Sequence, residues 1–369
     1  MRAQTSLARA TAAASRRLLP ISQHVEFAPN MHLGHRLVLR SGRWLWLRAL
    51  AWLLLLFFVT AGAFGLPLQW AVDQLPAGNN AQQFAGLLTA AAAAVACYVL
   101  AVLLGEGRAP REFALRPAAR ELAVGSVLGL VMMALLMGVL AVTNLYDITW
   151  AGPTAAWTGA GLAVQAAVTE ELWVRALLLR LLWRVLGPVP AFAVVAVVFA
   201  ALHLANPGAT PLAAATVAMA GLMFSAMYAL TGRLWLPIGL HFAWNFAQGY
   251  LFGAVVSGGD LGGSVSVSTA RAGSASWLTG GAFGPEASVF AFVLVTVVTA
   301  GALFIGGRAP RPSVSLARSR ARRTTPAVDA EDPTEHVRDR HARVPVPRPD
   351  APSRVAGPST SQPSPDGAC

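Results

Sequence analysis

Three short patterns in an otherwise apolar chain carry groups able to do chemistry. The first is Glu170-Glu171-x-x-x-Arg175, the second Phe199-x-x-x-His203, and the third His241-x-x-x-Asn245, preceded by Leu236-Pro-Ile-Gly239. A charge at the middle of a membrane helix costs roughly 2.5–3.5 kcal/mol on insertion scales, so adjacent carboxylates there mark a site rather than an accident. Two of the seven histidines, His203 and His241, lie in apolar runs, and both belong to these patterns.

Helical spacing sorts the groups. Glu171 and Arg175 are four apart, so they share a face and can pair. Glu170 projects about 100° away and can face another neighbour. His241 and Asn245 line one stripe, and Phe199 precedes His203 by one turn. Three helices can thus each project polar groups into one cavity. A carboxylate beside an imidazole, away from bulk water, can hold and deprotonate a water molecule. On this reading Glu170 activates the water, and His203 orients it or passes a proton to the leaving amine. His241 and Asn245 donate to the oxyanion of a tetrahedral intermediate. Glu171 and Arg175 support the site. The chemistry is amide hydrolysis.

Two variants stand beside this reading. Ser225 and Cys97 sit near no base motif, so neither is expected to be a nucleophile. Two histidines and one carboxylate also make a common catalytic zinc shell. Here Glu170, His203 and His241 would have to be gathered from three helices, and His-Glu-x-x-His is absent. The metal-free mechanism, with no cofactor, is favoured, and Zn2+ is the alternative. In the purely structural reading, Arg175 neutralises a helix end and the histidines and Asn245 are interhelical glue.

The elements that must position these groups follow from composition. Of 369 residues, 55% are apolar and 12% charged, against about 25% charged in ordinary soluble domains. There are 28 Arg, no Lys and 17 acids, for a net charge of +11. Residues 1–48 hold 8 Arg and one acid, and residues 308–369 hold 11 Arg and 7 acids, which leaves 9 of each for residues 49–307. A soluble fold of that size could not cover its surface with so few charges. Two cysteines supply no disulfide framework. A soluble enzyme, a secreted scaffold and a disordered protein are all disfavoured.

About 20 apolar residues cross a bilayer core. Such runs lie near 49–66, 82–104, 122–143, 155–174, 188–205, 210–231, 234–255 and 287–306. The expected fold is all-α, a polytopic membrane bundle of about eight transmembrane helices. Arg-rich and Arg-poor connections alternate along it, which by the positive-inside rule puts both termini in the cytoplasm. The expected organisation is an Arg-rich cytoplasmic arm over 1–44, a transmembrane domain over 45–307, and a disordered Pro/Arg-rich cytoplasmic tail over 308–369. Segment 109–121 is expected to lie in the interface. The Arg-rich termini suit anionic lipid headgroups; no nucleic-acid partner is expected. The location implied is a bacterial cytoplasmic membrane. Straight helices leave one conflict of depth. Glu170 and His203 lie about 15 residues from the cytoplasmic ends and His241 about 8, a mismatch of roughly 10 Å.

At the three motifs the sequence resembles the CAAX-processing and bacteriocin-processing (Abi, CPBP) membrane proteases. These are intramembrane glutamic endopeptidases, formerly described as metalloproteases. The resemblance covers roughly residues 120–255, a protease-like core. It implies that Glu170 is the water-activating base, assisted by His203. It makes His241 and Asn245 the oxyanion donors, with Glu171 and Arg175 in support. The substrate implied is a membrane-embedded or lipidated peptide. The family's first motif often carries Phe before its Arg and Gly after it; Val174 and Ala176 stand there in this chain. Other readings are a non-catalytic membrane scaffold, a bacteriocin-immunity protein and a proton-coupled transporter. The last would need a polar path that the remaining runs do not supply.

Overall fold

The computed structural model describes residues 31–74, 80–154 and 157–308. The expected tail and most of the N-terminal arm lie outside the described residues. The order of elements is α1 (Leu45–Gln74), α2 (Asn80–Ala101), α3 (Ala118–Val142), β1 (Tyr146–Trp150), α4 (Trp157–Glu171), α5 (Arg180–Leu186), α6 (Pro188–His203), α7 (Pro211–Thr231), α8 (Trp235–Phe246), β2 (Ser266–Ala270), α9 (Ser276–Thr279) and α10 (Val289–Arg308). Wider π-helical turns extend α2 through Val102–Glu106, join α4 to α5 through Leu172–Leu179, and extend α8 through Ala247–Leu251.

Each of the eight apolar runs falls on a helix. Five stretches are long and apolar enough to span a bilayer: Leu45–Ala71, Asn80–Glu106, Ala118–Val142, Pro211–Thr231 and Val289–Gly307. Their outward faces are apolar, as lipid contact requires; Phe58, Leu104 and Val142 are among the exposed side chains. The protein is a multi-pass membrane protein. The other three runs differ in a physical way. Pro188–His203 is only 16 residues long. The runs around 155–174 and 234–255 carry the site's polar groups and contain the π-helical turns.

The all-α expectation needs one correction. β1 and β2 pair antiparallel, with Tyr146 opposite Ala270 and Trp150 opposite Ser266. The alternation in Tyr-Asp-Ile-Thr-Trp and Ser-Val-Ser-Thr-Ala was too short to register against the helical runs. Asp147 and Arg271 form an exposed ion pair beside this ladder, at 2.8 Å.

Local chemistry sets the helix ends next to the site. Thr210 caps α7 by accepting from the Ala213 N–H at 3.1 Å, with Pro211 at the first helical position. Gly232 closes α7 in the left-handed conformation. The bundle core is Leu-, Ala- and Met-rich and includes Met132, Leu136, Leu172, Leu177 and Phe224. α3 and α8 approach backbone to backbone. A Cβ at Gly125 would overlap the Leu236 carbonyl, one at Gly129 the Leu240 carbonyl, and one at Gly239 the Leu122 carbonyl. Small residues permit such contact between membrane helices.

The Arg-rich connections gather at one end of the bundle. Arg180 clasps Glu106 with two bonds, at 2.7 and 2.9 Å. Arg108 bridges Glu106 and Glu112, both at 2.6 Å. The Trp52 indole N–H and the Tyr98 hydroxyl donate to Glu106 and Glu112, each at 2.9 Å. Burial disfavours the Arg108 charge, but its hydrogen bonds to the Glu112 carboxylate outweigh that and hold the guanidinium firmly protonated. Segment 109–121 is not one continuous helix. It makes a tight turn over Arg111–Phe113 that turns Glu112 inward, and its last residues already belong to α3.

Candidate active site

α4 positions the two carboxylates on different sides, as the 100° step requires. The Glu171 side chain is 0% exposed, whereas Glu170 is 31% exposed and lines a cavity of about 520 Å³. Arg175 donates to Glu171 Oε1 at 3.0 Å and to the Gly221 carbonyl of α7 at 3.2 Å. Its guanidinium lies over the Phe199 and Phe224 rings, 4.6 and 5.1 Å from their centroids. Two aromatic faces and one carboxylate thus offset part of the desolvation of this fully buried cation.

His241 joins the two carboxylates. Its Nδ1 lies 3.0 Å from Glu171 Oε1, so Nδ1–H donates there, and Nε2 is turned toward Glu170 Oε2 at 3.9 Å. Phe224 stacks on the imidazole at 4.7 Å and fixes the ring plane. His203 ends α6. Its Nδ1 is 2.8 Å from the Phe199 carbonyl. A carbonyl can only accept, so Nδ1 carries a proton, and in the neutral ring Nε2 holds the lone pair.

Glu170, His203, His241 and Asn245 all line the one cavity. Glu170 Oε2 and Glu171 Oε2 are buried without a hydrogen-bond partner among the described residues. Buried carboxylate oxygens seldom stay unpaired, so Glu170 Oε2 presents an acceptor to whatever enters. Ser225 is committed elsewhere, donating to the Gly221 carbonyl at 2.7 Å. Among the described residues no group of three or more His, Cys, Asp and Glu side chains is gathered for metal binding.

The structure adds residues that the sequence did not single out. Asn206, Ser257 and Glu286 also line the cavity. Glu286 accepts from the Ser257 N–H and hydroxyl at 2.7 and 2.6 Å, and from the Trp244 indole at 3.0 Å. It therefore ties the strap after α8 to the helix that carries Asn245. No motif announces Glu286, because its partners lie 29 and 42 residues away.

The conflict of depth has a structural answer. The Leu234 N–H donates to the Glu112 carbonyl, and the Glu112 carboxylate lies 3.4 Å from Arg180. The start of α8 is therefore level with Arg180, not with the end of α5. Arg180 is nine residues beyond Glu171, and Leu234 is seven before His241. The last turn of α5 projects past that level, where Arg184 donates to the Gly34 carbonyl at 3.1 Å.

The helical bundle thus holds an internal cavity lined by Glu170, His203 and His241. Residues 152–247 match the family described as type II CAAX prenyl endopeptidase, Rce1-like. That stretch is about a quarter of the chain and holds all three motifs, so the likeness to that family falls on the residues that line the cavity. Neither a curated protein nor a solved structure matches the chain.

Proposed function

We propose that the protein is an intramembrane endopeptidase of the CAAX-processing type that hydrolyses a peptide bond in a membrane-associated peptide with water activated by Glu170. The observation that carries this is the convergence of Glu170, His203, His241 and Asn245 on one cavity. The water sits between the free oxygen of Glu170 and Nε2 of His203, each accepting one of its hydrogens. Its oxygen attacks the carbonyl carbon as its proton passes to Glu170. The carbonyl oxygen becomes an oxyanion, which accepts hydrogen bonds from Asn245 and from Nε2–H of His241 when that ring carries both protons. Collapse breaks the C–N bond, and the proton held by Glu170 reaches the leaving amine directly or through His203. Glu171 and Arg175 act by fixing His241 rather than by touching substrate.

The reading includes the eight-helix arrangement with both termini cytoplasmic, supported by the gathering of the Arg-rich connections at one end. Glu170→Gln keeps the shape and removes the base. It is expected to lower cleavage of a membrane-anchored reporter peptide by about 10²–10⁴-fold at unchanged protein level. Full turnover by this variant would sink the proposal. Purified enzyme that keeps its activity in chelator supports the metal-free form; loss restored by Zn2+ supports the zinc form.

A further inference from the structure

The cavity and the Arg-rich connections lie at opposite ends of the bundle. Every part of the lining comes from the Arg-poor end. α4 contributes residues from Leu162 to Glu170, all before the π-helical turn that leads to Arg175 and Arg180. α6 contributes Phe199, His203 and the turn with Asn206 and Pro207, α7 contributes residues from Thr216 to Phe224, and α8 contributes His241, Trp244 and Asn245, well past its Arg233 end. The strap Val256–Gly259 and Glu286 complete the wall. Pro207 and Gly259 are exposed at the rim. No Arg lines the cavity. The other end is assembled independently by Arg180 on Glu106, Arg233 on Glu121 and Arg184 on Gly34.

The positive-inside rule puts the Arg-rich end in the cytoplasm. We infer that the catalytic cavity is loaded from the extracytoplasmic side, so that its substrate is an exported or outward-facing membrane-anchored peptide rather than a cytosolic prenylated protein. The inference rests on the proposed peptidase for the word substrate, but the side of access follows from the fold and the positive-inside rule without it. The buried ion cluster between Arg180 and the α2–α3 connection closes the opposite route. Substrate from the cytoplasm would have to pass Glu106, Arg108, Glu112 and Arg180, which are bonded to one another.

The test uses the full chain expressed in a bacterial host with Cys97→Ala and Cys369→Ser, and single cysteines at three positions. Asp260→Cys reports the rim loop, Asn206→Cys the cavity, and Arg116→Cys the Arg-rich end. The probe is a membrane-impermeant sulfonated maleimide applied to spheroplasts. The expected result is labelling of Asp260→Cys and Asn206→Cys in intact spheroplasts, and of Arg116→Cys only after permeabilisation. The reverse pattern overturns the inference. So does labelling of Asp260→Cys from outside with Asn206→Cys reached only after permeabilisation, or never reached. Should Asn206→Cys fail to accumulate, Gly259→Cys replaces it at the exposed rim, and its labelling from outside or only after permeabilisation decides in the same way. Labelling does not depend on turnover. An active Glu170→Gln variant would refute Glu170 as the base and leave the side of access standing.

Discussion

Glu171 Oε1 is shared between Arg175 and His241, and the rest of the site hangs on that atom. The spacing of Glu171 and Arg175 made their pairing legible in the sequence. The attachment of His241 to Glu171 rather than only to Glu170 was not, because it joins residues 70 apart. A buried pair is costly to break from one side, since the remaining charge is left uncompensated. Arg175→Met is expected to destabilise the detergent-solubilised protein by about 3–5 kcal/mol. The double variant Glu171→Gln with Arg175→Met is expected to recover part of that loss in thermal unfolding. Equal losses in the single and double variants would show that the pair is not coupled.

At the scale of elements, two contacts decide whether the groups meet. The first is the approach of α3 to α8, where Gly125, Gly129 and Gly239 let backbone touch backbone. Gly239→Ala drives a Cβ into the Leu122 carbonyl and is expected to cost about 1–3 kcal/mol while shifting the helix that carries His241 and Asn245. Gly138→Ala, also on α3 but facing open space, is expected to leave both stability and activity unchanged. Measuring unfolding and reporter cleavage in the two variants separates close packing from helix propensity. The second contact is Glu286 with the strap after α8. Glu286→Ala strands the Ser257 N–H and the Trp244 indole. It is expected to speed limited proteolysis within residues 256–263 while the helices stay protected. The π-helical turn after Glu171 belongs to this scale too. Such turns recur at functional sites, but nothing in Leu-Trp-Val-Arg-Ala-Leu-Leu-Leu distinguishes it from an ordinary helix.

The whole molecule has two ends with different chemistry. One is tied by buried ion pairs, and the other by the β1–β2 ladder and the strap. Glu106 receives Trp52, Arg108 and Arg180, so it joins α1, the end of α2, the connection to α3 and α5. Removing it leaves buried Arg180 without that carboxylate. Glu106→Ala is expected to cost about 3–5 kcal/mol and to lower abundance in the membrane. Asp147→Ala breaks only an exposed pair, and its cost is expected to stay within about 1 kcal/mol. A comparable loss in the two would show that the cluster contributes no more than a surface pair.

The sequence alone determined the solvent, the helices and the three motifs. Charge scarcity, apolar run length and four-residue spacing are local properties, and a membrane helix satisfies its own backbone. The eight runs, the Arg alternation and the placement of Glu170, His203, His241 and Asn245 on three helices were therefore legible. Only the tertiary structure decided which atoms meet. It put His241 on Glu171, drew Glu106, Arg108, Glu112 and Arg180 into one buried cluster, and set Glu286 against Trp244. It also paired two short strands. These choices join segments far apart in the chain, and they are fixed by helix packing and by the need to pair every buried charge, neither of which is written in any single run of residues.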